Sequence, residues 1–267
     1  MATITSFEAG YCTHVACVAL KGAGLSVCAF PARTWLIEAG SGRWLWDTGY
    51  ATHFYDATRH GVFALYRKVT PVYFESSASI ANQLRQKGIL PQDLNGLILS
   101  HFHGDHIAGL RDFTDSRYIC SGSGWHDIRP LTGFSALKQG FVPALIPASF
   151  ESQVSFIEQF EQVDLPAELR PFQRAYVLPD SNKEVMLVEL PGHAAGHIGA
   201  FVLTAEGWVL LAADAAWSDK NYRELRGPSR LANIIMADSK AYYRTLSDLH
   251  QLDKGNVRIY LSHEGNL

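Results

Sequence analysis

Three histidines and an aspartate within six positions are the residues best suited to chemistry in this sequence. They lie in the segment HFHGDH at residues 101–106 and are His101, His103, Asp105 and His106. The apolar run just before them, residues 96–99, predicts a buried strand, so side chains two positions apart at its end can point to one side. Imidazole nitrogens and carboxylate oxygens are ligands for Zn²⁺, Fe²⁺, Mn²⁺ or Co²⁺. The segment therefore predicts a metal site that other parts of the chain must complete.

Three further polar side chains follow apolar runs in the same way. They are His193 after residues 184–190, Asp214 after residues 208–212 and His263 after residues 257–261. Ligands gathered from the ends of several strands are one way in which a rigid scaffold builds a site. Together with the first four they give seven ligands, which suits two ions that share one bridging carboxylate and one open bridging position. That arrangement is typical of a hydrolase with two metal ions.

The elements that must position these side chains alternate between strand and helix patterns. Further strand patterns occur at residues 33–38, 43–47, 117–121, 199–203 and 208–212. Helix patterns occur at residues 79–88 and 239–252, the second with Asp238 as its N-cap. Strands, a helix and then the same order again predict an α+β fold in which sheets are stacked between helical layers.

We expect a single metallo-hydrolase domain over residues 1–267, although two segments lack a regular pattern. Residues 51–77 are aromatic and form either core or the wall of an apolar pocket. Residues 122–180 carry six prolines, and they predict an insertion of loops and short helices without a core of its own.

The composition is that of a globular protein without a nucleic-acid or membrane footprint. Hydrophobic residues make up 47%, charged residues 18%, and the formal net charge is −3, so no basic surface is expected. No apolar run approaches the ~20 residues of a membrane span, and the first residues lack a signal-peptide pattern. Four cysteines without a C-x-x-C spacing indicate free thiols in a reducing cytoplasm. The expected partner is a small-molecule substrate, and the chain is expected to be a monomer or a homodimer.

The order of the seven ligands resembles the signature of the metallo-β-lactamase superfamily, in its dinuclear hydrolase branch. The resemblance covers residues 30–265, and Asp47 in the segment DTG at 47–49 is similar to the family's early aspartate, which is mainly structural. It implies a four-layer αββα sandwich with the site at one edge of the two sheets. It also implies two divalent ions, Zn²⁺ or else Fe²⁺, Mn²⁺ or Co²⁺. One ion would be held by His101, His103 and His193, the other by Asp105, His106 and His263, with Asp214 between them.

Within the superfamily, two segments look most like the quorum-quenching N-acyl homoserine lactonases. They are PGHAAGH at 191–197 and DAAWSDKNY at 214–222. Those enzymes carry a tyrosine three residues after the bridging aspartate, where this chain has Trp217. The indole N–H of Trp217 or the hydroxyl of Tyr222 is expected to contact the substrate, with a plain apolar wall as the alternative for Trp217. The resemblance implies hydrolysis of a lactone or carboxylic ester and leaves the acyl chain open.

The chemistry implied is attack of a hydroxide that bridges the two ions on an ester carbonyl. Two cations that share a water lower its pKa toward neutrality, and Asp105 or Asp214 would pass a proton to the leaving alkoxide. His197 is expected to orient a ligand loop through a hydrogen bond. No role is assigned to the remaining histidines, His14, His53, His60, His126 and His250.

The sequence does not exclude several other functions that use the same ligands. A thioesterase or a phosphodiesterase of the same superfamily could share the site, because site chemistry does not fix the substrate. A non-catalytic metal-binding effector is the alternative outside enzymes, and seven intact ligands count against it. An oxygen or nitric-oxide reductase would need an electron partner, and a nuclease would need a basic clamping domain.

Overall fold

Two β-sheets stacked face to face lie at the centre of the chain in a computed structural model, which describes residues 1–230 and 232–264. The strands of the described residues are β1 (Thr3–Val15), β2 (Val27–Ala39), β3 (Gly42–Trp46), β4 (Val72–Tyr73), β5 (Gly96–Ile98), β6 (Tyr118–Cys120), β7 (Val154–Phe156), β8 (Gln162–Asp164), β9 (Arg174–Val177), β10 (Val185–Glu189), β11 (Ile198–Thr204), β12 (Gly207–Ala213) and β13 (Arg258–Leu261). The helices are α1 (Ala16–Ala19), α2 (Thr52–Ala57), α3 (Ala64–Val69), α4 (Ile80–Gln86), α5 (Gly104–Ile107), α6 (Gly122–Ile128), α7 (Gly133–Lys138), α8 (Phe150–Gln153), α9 (Asp219–Arg223) and α10 (Ser239–Lys254). Together they form the predicted αββα sandwich.

The two sheets have different strand orders. One is β4-β1-β2-β3-β5-β6-β7, and the other is β13-β12-β11-β10-β9-β8. In the first sheet β3, β5, β6 and β7 run parallel, so the ends of β3 and β5 lie side by side. In the second sheet β12 and β13 are parallel, and β10 runs in the same direction because both strands are antiparallel to β11. The chain therefore leaves β3, β5, β10, β12 and β13 at one edge of the sandwich.

Three layers of apolar side chains hold the sheets and helices together. The layer between the sheets contains large side chains such as Trp35, Trp46, Ile98 and Leu211. A second layer packs the helices of the N-terminal half on the first sheet, and a third lies beneath α10 on the second sheet. Each fully buried side chain of this size contributes about 1.5–3 kcal/mol, so the edge that carries the loops rests on a rigid base.

The helix α10 confirms the pattern read at residues 239–252 and its predicted cap. Asp238 Oδ1 accepts hydrogen bonds from the backbone nitrogens of Lys240 at 2.8 Å and Ala241 at 3.0 Å. Leu246 and Leu249 are buried on its inner face. A side chain that accepts from the free N–H groups of the first turn stabilises a helix by about 1 kcal/mol.

Residues 122–180 contain more β-structure than the sequence predicts. Besides short helices they supply β7 at one edge of the first sheet and β8 and β9 at the edge of the second. These strands are three or four residues long, too short to leave a periodic pattern. No helix in the described part of the chain combines the length and apolar character needed to cross a membrane.

Candidate metal centre

The strand ends bring all seven predicted ligands to one place. His101 and the turn into α5 follow β5, His193 follows β10, Asp214 follows β12 and His263 follows β13. All seven side chains are buried except His103, which is partly exposed. The edge of the sandwich thus presents five imidazoles and two carboxylates within a small volume.

The seven side chains form two groups that could each hold a metal ion. One group is His101, His103, His193 and Asp214, and the other is Asp105, His106 and His263. Within each group the potential ligand atoms lie within 4.8 Å of one another. Apart from Asp214, which falls in the first group, the members of each group are those that the family resemblance implies for each ion.

Asp214 lies between the two groups. Its Oδ2 atom is 3.3 Å from His193 Nε2 in the first group and 3.2 Å from His263 Nε2 in the second. Its Oδ1 atom is 3.4 Å from His106 Nε2. A carboxylate in this position can bind both of two neighbouring ions.

Orphaned polar atoms show that these groups suit a metal ion. Of the twelve buried side-chain atoms that lack a hydrogen-bond partner among the described residues, four belong to the candidate ligands: His101 Nε2, His106 Nε2, His193 Nδ1 and Asp214 Oδ1. A buried polar atom without a partner costs about 1–3 kcal/mol, so such a concentration is unusual in a folded chain. An ion bound by imidazole and carboxylate groups would offset much of this cost.

The ligand rings are held by hydrogen bonds on their far sides. His106 Nδ1 lies 2.8 Å from Asp47 Oδ2, and His263 Nδ1 lies 2.7 Å from the carbonyl oxygen of Pro31. Each bond fixes one nitrogen as a donor and leaves Nε2 of the same ring free as a ligand. Asp47, with a φ of 55°, also accepts from Ser100 N at 2.8 Å and Ser100 Oγ at 2.7 Å. Its geometry matches the structural role expected from the sequence.

The pKa values of the histidines are shifted in different directions in the two ligand groups. Burial lowers the pKa of His101 and of His193 well below the usual value, so the first group offers neutral imidazoles. Burial would also lower the pKa of His106, but the carboxylates of Asp214, Asp105 and Asp47 raise it to about 10. The pKa of His263 is raised well above its usual value by Asp214 and Asp105, against the effect of burial. Without metal, the second group therefore holds protons that an ion must displace.

A glycine fixes the loop that carries His193. Gly192 has a φ of 129°, and a side-chain carbon there would overlap the backbone of Tyr242 in α10. The carbonyls of Gly192 and His193 accept from Asp238 N at 3.0 Å and Ala237 N at 3.1 Å. The loop is thus held against the start of α10, which sets the position of the His193 ring.

His197 holds Asp214 rather than facing the two groups. Its Nδ1 donates to the carbonyl of Leu190 at 2.9 Å, and its Nε2 accepts from the backbone N–H of Asp214 at 3.2 Å. Only a neutral ring makes both bonds, and burial lowers the pKa of His197 to about 4. This geometry supports the orienting role predicted for it.

We expect the His197→Gln variant to lose less unfolding free energy in acid than wild type. Glutamine can make both hydrogen bonds but does not titrate. Between the usual histidine pKa of 6.5 and the folded value of about 4, His197 gains a proton in the unfolded wild-type chain but not in the folded one. The contribution of neutral His197 to the free energy of unfolding is therefore full above pH 6.5 and is lost as the pH falls toward the folded pKa. From about pH 7.5 to about pH 4.5, urea unfolding should show a loss of about 3 kcal/mol more in wild type than in the variant. Equal losses would contradict this account.

A cavity of about 480 Å³ opens onto the two groups. His103, Asp105, His193, Asp214 and His263 line its floor. Its walls are mainly apolar, with contributions from Val18, Phe30, Leu65, Val69 and Leu137. A concave apolar site with a few polar groups at its base is typical of a small-molecule site.

Trp217 lines this cavity, as predicted, but its N–H is already used. The indole Nε1 donates to Asp214 Oδ2 at 3.1 Å, and the ring meets that of His193 edge-on with centroids 5.5 Å apart. Trp217 is therefore both a wall and a hydrogen-bond donor to the shared carboxylate.

Tyr222 does not reach the cavity, and its predicted contact with the substrate is wrong. The residue is only 1% exposed and packs in the core beneath α10. The charged groups that act most on its hydroxyl are Arg223, Asp253 and Asp219, which lie outside the two ligand groups. The helix α9 (Asp219–Arg223) turns this side chain inward, away from the cavity.

Cys12, His14 and Tyr66 are among the cavity residues to which the sequence assigns no role. Cys12 and His14 come from β1, and Tyr66 comes from α3. Burial raises the pKa of Cys12 to about 11, so its thiol stays protonated near neutral pH. The aromatic composition of residues 51–77 was the available signal for Tyr66, although it does not distinguish wall from core.

Known proteins are similar to this chain over most of its length. The sequence model of the metallo-beta-lactamase superfamily matches residues 29–263. The N-acyl homoserine lactonase AiiB of Agrobacterium fabrum is 26% identical over 238 residues, which cover 88% of this chain and 79% of that protein. The probable metallo-hydrolase Rv2300c of Mycobacterium tuberculosis is 24% identical over 257 residues, which cover 95% of this chain and 77% of that protein.

Solved structures share the fold over almost the whole chain. An N-acyl homoserine lactone hydrolase with N-hexanoyl-L-homoserine bound at its catalytic metal centre matches with a TM-score of 0.73 and 21% identity, over 98% of this chain and 92% of that one. The dizinc quorum-quenching lactonase AidC matches with a TM-score of 0.66 and 16% identity, over 98% and 87%. At these identities the likeness concerns the fold.

Proposed function

Because this chain belongs to the metallo-beta-lactamase superfamily and is a metal-dependent hydrolase, we propose that it uses two divalent ions to hydrolyse a lactone or carboxylic ester. N-acyl homoserine lactones are the proposed substrate class, which would make the protein a quorum-quenching enzyme. Lactonases among its relatives support this choice, and the apolar cavity supports it independently.

The position of Asp214 carries the proposal. Its carboxylate lies within 3.4 Å of ring nitrogens from both ligand groups, which is what a shared ligand of two ions requires. His101, His103 and His193 would hold one ion, and Asp105, His106 and His263 the other. Histidine and aspartate ligands suit Zn²⁺, and also Fe²⁺, Mn²⁺ or Co²⁺.

When bound, two such ions supply a Lewis acid for the carbonyl oxygen and a nucleophile at neutral pH. The residues of the chain do the rest. The apolar walls exclude water from the bound substrate, and the hydrogen bonds of Asp47 and His197 keep ligand side chains in place. Asp105, at the cavity floor, or Asp214 would pass a proton to the leaving alkoxide oxygen.

The cavity wall favours a neutral substrate with an apolar part. Among the residues that line it, the cationic side chain is that of Lys138, which is exposed, while the rest of the wall is mostly apolar. A phosphodiester would find partners for its charge in the proposed ions alone, because the wall residues offer no cluster of cationic side chains beside them. An acyl chain would instead bury apolar area, at about 25 cal/mol per Å².

The remaining proposals concern the cellular location, the domain organisation and the partners of the protein. All four cysteines are free, which supports a cytoplasmic location. The chain is proposed to form one domain over residues 1–267, with residues 122–180 as an insertion. The strands that this segment adds to both sheets support the single domain. The chain would act as a monomer or homodimer on a small molecule, without nucleic acid or membrane.

A substrate panel tests the proposed function. We expect the purified protein to hydrolyse N-hexanoyl-homoserine lactone, simple γ- and δ-lactones and aryl esters faster than thioesters or bis-nitrophenyl phosphate. Product formation can be followed by pH-stat titration or absorbance, with protein stripped by a chelator as the blank. Turnover confined to the phosphodiester would overturn the lactonase proposal, and turnover confined to thioesters would replace it with a thioesterase.

A further inference from the structure

We propose that the hydroxyl of Tyr66 donates a hydrogen bond to the substrate carbonyl oxygen and stabilises the negative charge that develops on it. The inference rests on the proposed function, because it assigns a donor for a carbonyl substrate. In hydrolysis the nucleophile forms a bond to the carbonyl carbon, the carbonyl π electrons move onto oxygen, and the bond to the leaving alkoxide breaks as the carbonyl re-forms. A donor aimed at that oxygen is worth about 10²–10³ in kcat in other acyl-transfer enzymes.

The nearest alternative donor is already engaged. The Trp217 indole has one N–H, which donates to Asp214 Oδ2 at 3.1 Å. Redirecting it would remove a hydrogen bond from the shared carboxylate. Trp217 therefore holds Asp214, and a hydrogen bond to the carbonyl oxygen, in addition to the Lewis acid of the proposed function, has to come from another side chain.

Tyr66 places a hydroxyl at the cavity floor. A methyl group on Gly104, which lies between His103 and Asp105 in the sequence, would be 3.5 Å from the Tyr66 hydroxyl oxygen. The carboxylates whose charges act on this hydroxyl are Asp105 and Asp214. The phenol thus lies against the ligand turn that opens α5, on the cavity side.

The hydroxyl of Tyr66 has its proton available. Its oxygen accepts from the backbone N–H of Gly104. Among the described residues it has no carbonyl or carboxylate to which it donates, although it lines the cavity. Other polar side chains on the wall are placed differently. His14 Nδ1 accepts from Val15 N at 2.9 Å, and Lys138 is an exposed side chain. A substrate oxygen would give the phenol the acceptor it lacks.

The ring of Tyr66 is held firmly. It meets the ring of Phe54 edge-on at a centroid distance of 5.3 Å, and Phe54 is 1% exposed. The carbonyl of Tyr66 accepts from Thr70 N at 2.8 Å. A donor fixed before the substrate arrives stabilises charge without reorganisation, which is the property that such a role requires.

Tyr66→Phe removes the hydroxyl and keeps the ring that packs on Phe54. With the fastest substrate of the panel, we expect kcat to fall about 100-fold while KM stays within about threefold, because the bond strengthens as charge develops. Tyr55→Phe is the matched control, since Tyr55 also contacts Phe54 at 6.4 Å but its hydroxyl donates to the Val72 carbonyl at 3.2 Å. Its kcat should match wild type.

A second readout does not depend on turnover. The γ-lactam analogue of N-hexanoyl-homoserine lactone keeps a ring carbonyl and resists hydrolysis. When it is bound to wild type, its carbonyl stretch should lie at a lower infrared frequency than when it is bound to Tyr66→Phe. Metal content and the free energy of unfolding should be equal in the two proteins.

The outcomes separate this inference from the proposed function. A Tyr66→Phe variant with wild-type kcat and an unshifted carbonyl stretch would overturn the role of Tyr66 alone. A fall in kcat that accompanies loss of metal or of unfolding free energy would make the residue structural and would also overturn it. A wild-type protein inactive on every lactone and ester would overturn the proposed function and, with it, this role.

Discussion

Replacing Asp214 with asparagine should lower hydrolysis by about 10³-fold or more while the protein stays folded. Asparagine keeps the size of the side chain but removes its charge and replaces one acceptor oxygen with a donor. Both carboxylate oxygens face ring nitrogens, Oδ1 at 3.4 Å from His106 and Oδ2 at 3.3 Å from His193. The variant would therefore lose the ligand shared by two ions, and metal analysis should show a lower ion content per chain.

The control for this variant is Asp219→Asn. Asp219 lies on α9 a few residues further along the same connection, and its carboxylate pairs with Arg223 at 2.8 Å, away from the two groups. Surface pairs of this kind contribute about 0–1 kcal/mol, so kcat and ion content should match wild type. If Asp214→Asn kept wild-type turnover with two ions, Asp214 would not bridge them. Far-ultraviolet circular dichroism and the urea midpoint establish that both variants are folded.

The positions of the candidate ligands could be predicted because each follows a buried strand. An apolar run followed within three residues by a histidine or aspartate is visible in the sequence, as at β13 and His263. Strand direction then decides whether such ends meet, and the shared direction of β10, β12 and β13 brings His193, Asp214 and His263 together. The fold followed from the same strands and from the periodic helix α10.

The residues that the sequence did not assign depend on orientation rather than on pattern. Tyr66 lies in a segment of short helices without a periodic face, so nothing local indicates that its hydroxyl faces the cavity. The predicted contact of Tyr222 with the substrate was wrong because of the orientation of its side chain. Tyr222 follows Asp214 closely along the chain, but α9 turns its side chain into the core beneath α10. Proximity in sequence to a ligand does not determine which way a helical side chain points.

The strands within residues 122–180 were missed for a further reason. Strand β7 pairs with β6, β8 pairs with β9, and β9 also pairs with β10. The three residues of β7 are all partly buried, and the residues of β8 and β9 mix exposed with partly or fully buried positions over only three or four places. Tertiary pairing, rather than intrinsic preference, decides the conformation of such short segments.

Metal removal should abolish activity, and the two ions should leave at different pH. Protein purified without a chelator should contain about two ions per chain, and chelation followed by Zn²⁺ or Co²⁺ should remove and then restore turnover. In the second group, the carboxylates raise the pKa of His106 to about 10 despite burial, and the pKa of His263 is also raised. Protons held below those values compete with an ion, so affinity for that ion falls as pH falls.

The first group should keep its ion further into acid. Its histidines His101 and His193 have pKa values well below the usual one because they are buried, so near neutral pH an ion displaces few protons from them. Ion content measured after dialysis between about pH 8 and about pH 5 should therefore pass from two through one before it reaches zero. Calorimetry in buffers of different ionisation enthalpy should show that binding of the more acid-sensitive ion releases more protons from the protein than binding of the other ion. A folded protein that contains no ions as purified would contradict the two-ion centre. Loss of both ions over the same pH range would contradict the difference in electrostatics between the two ligand groups.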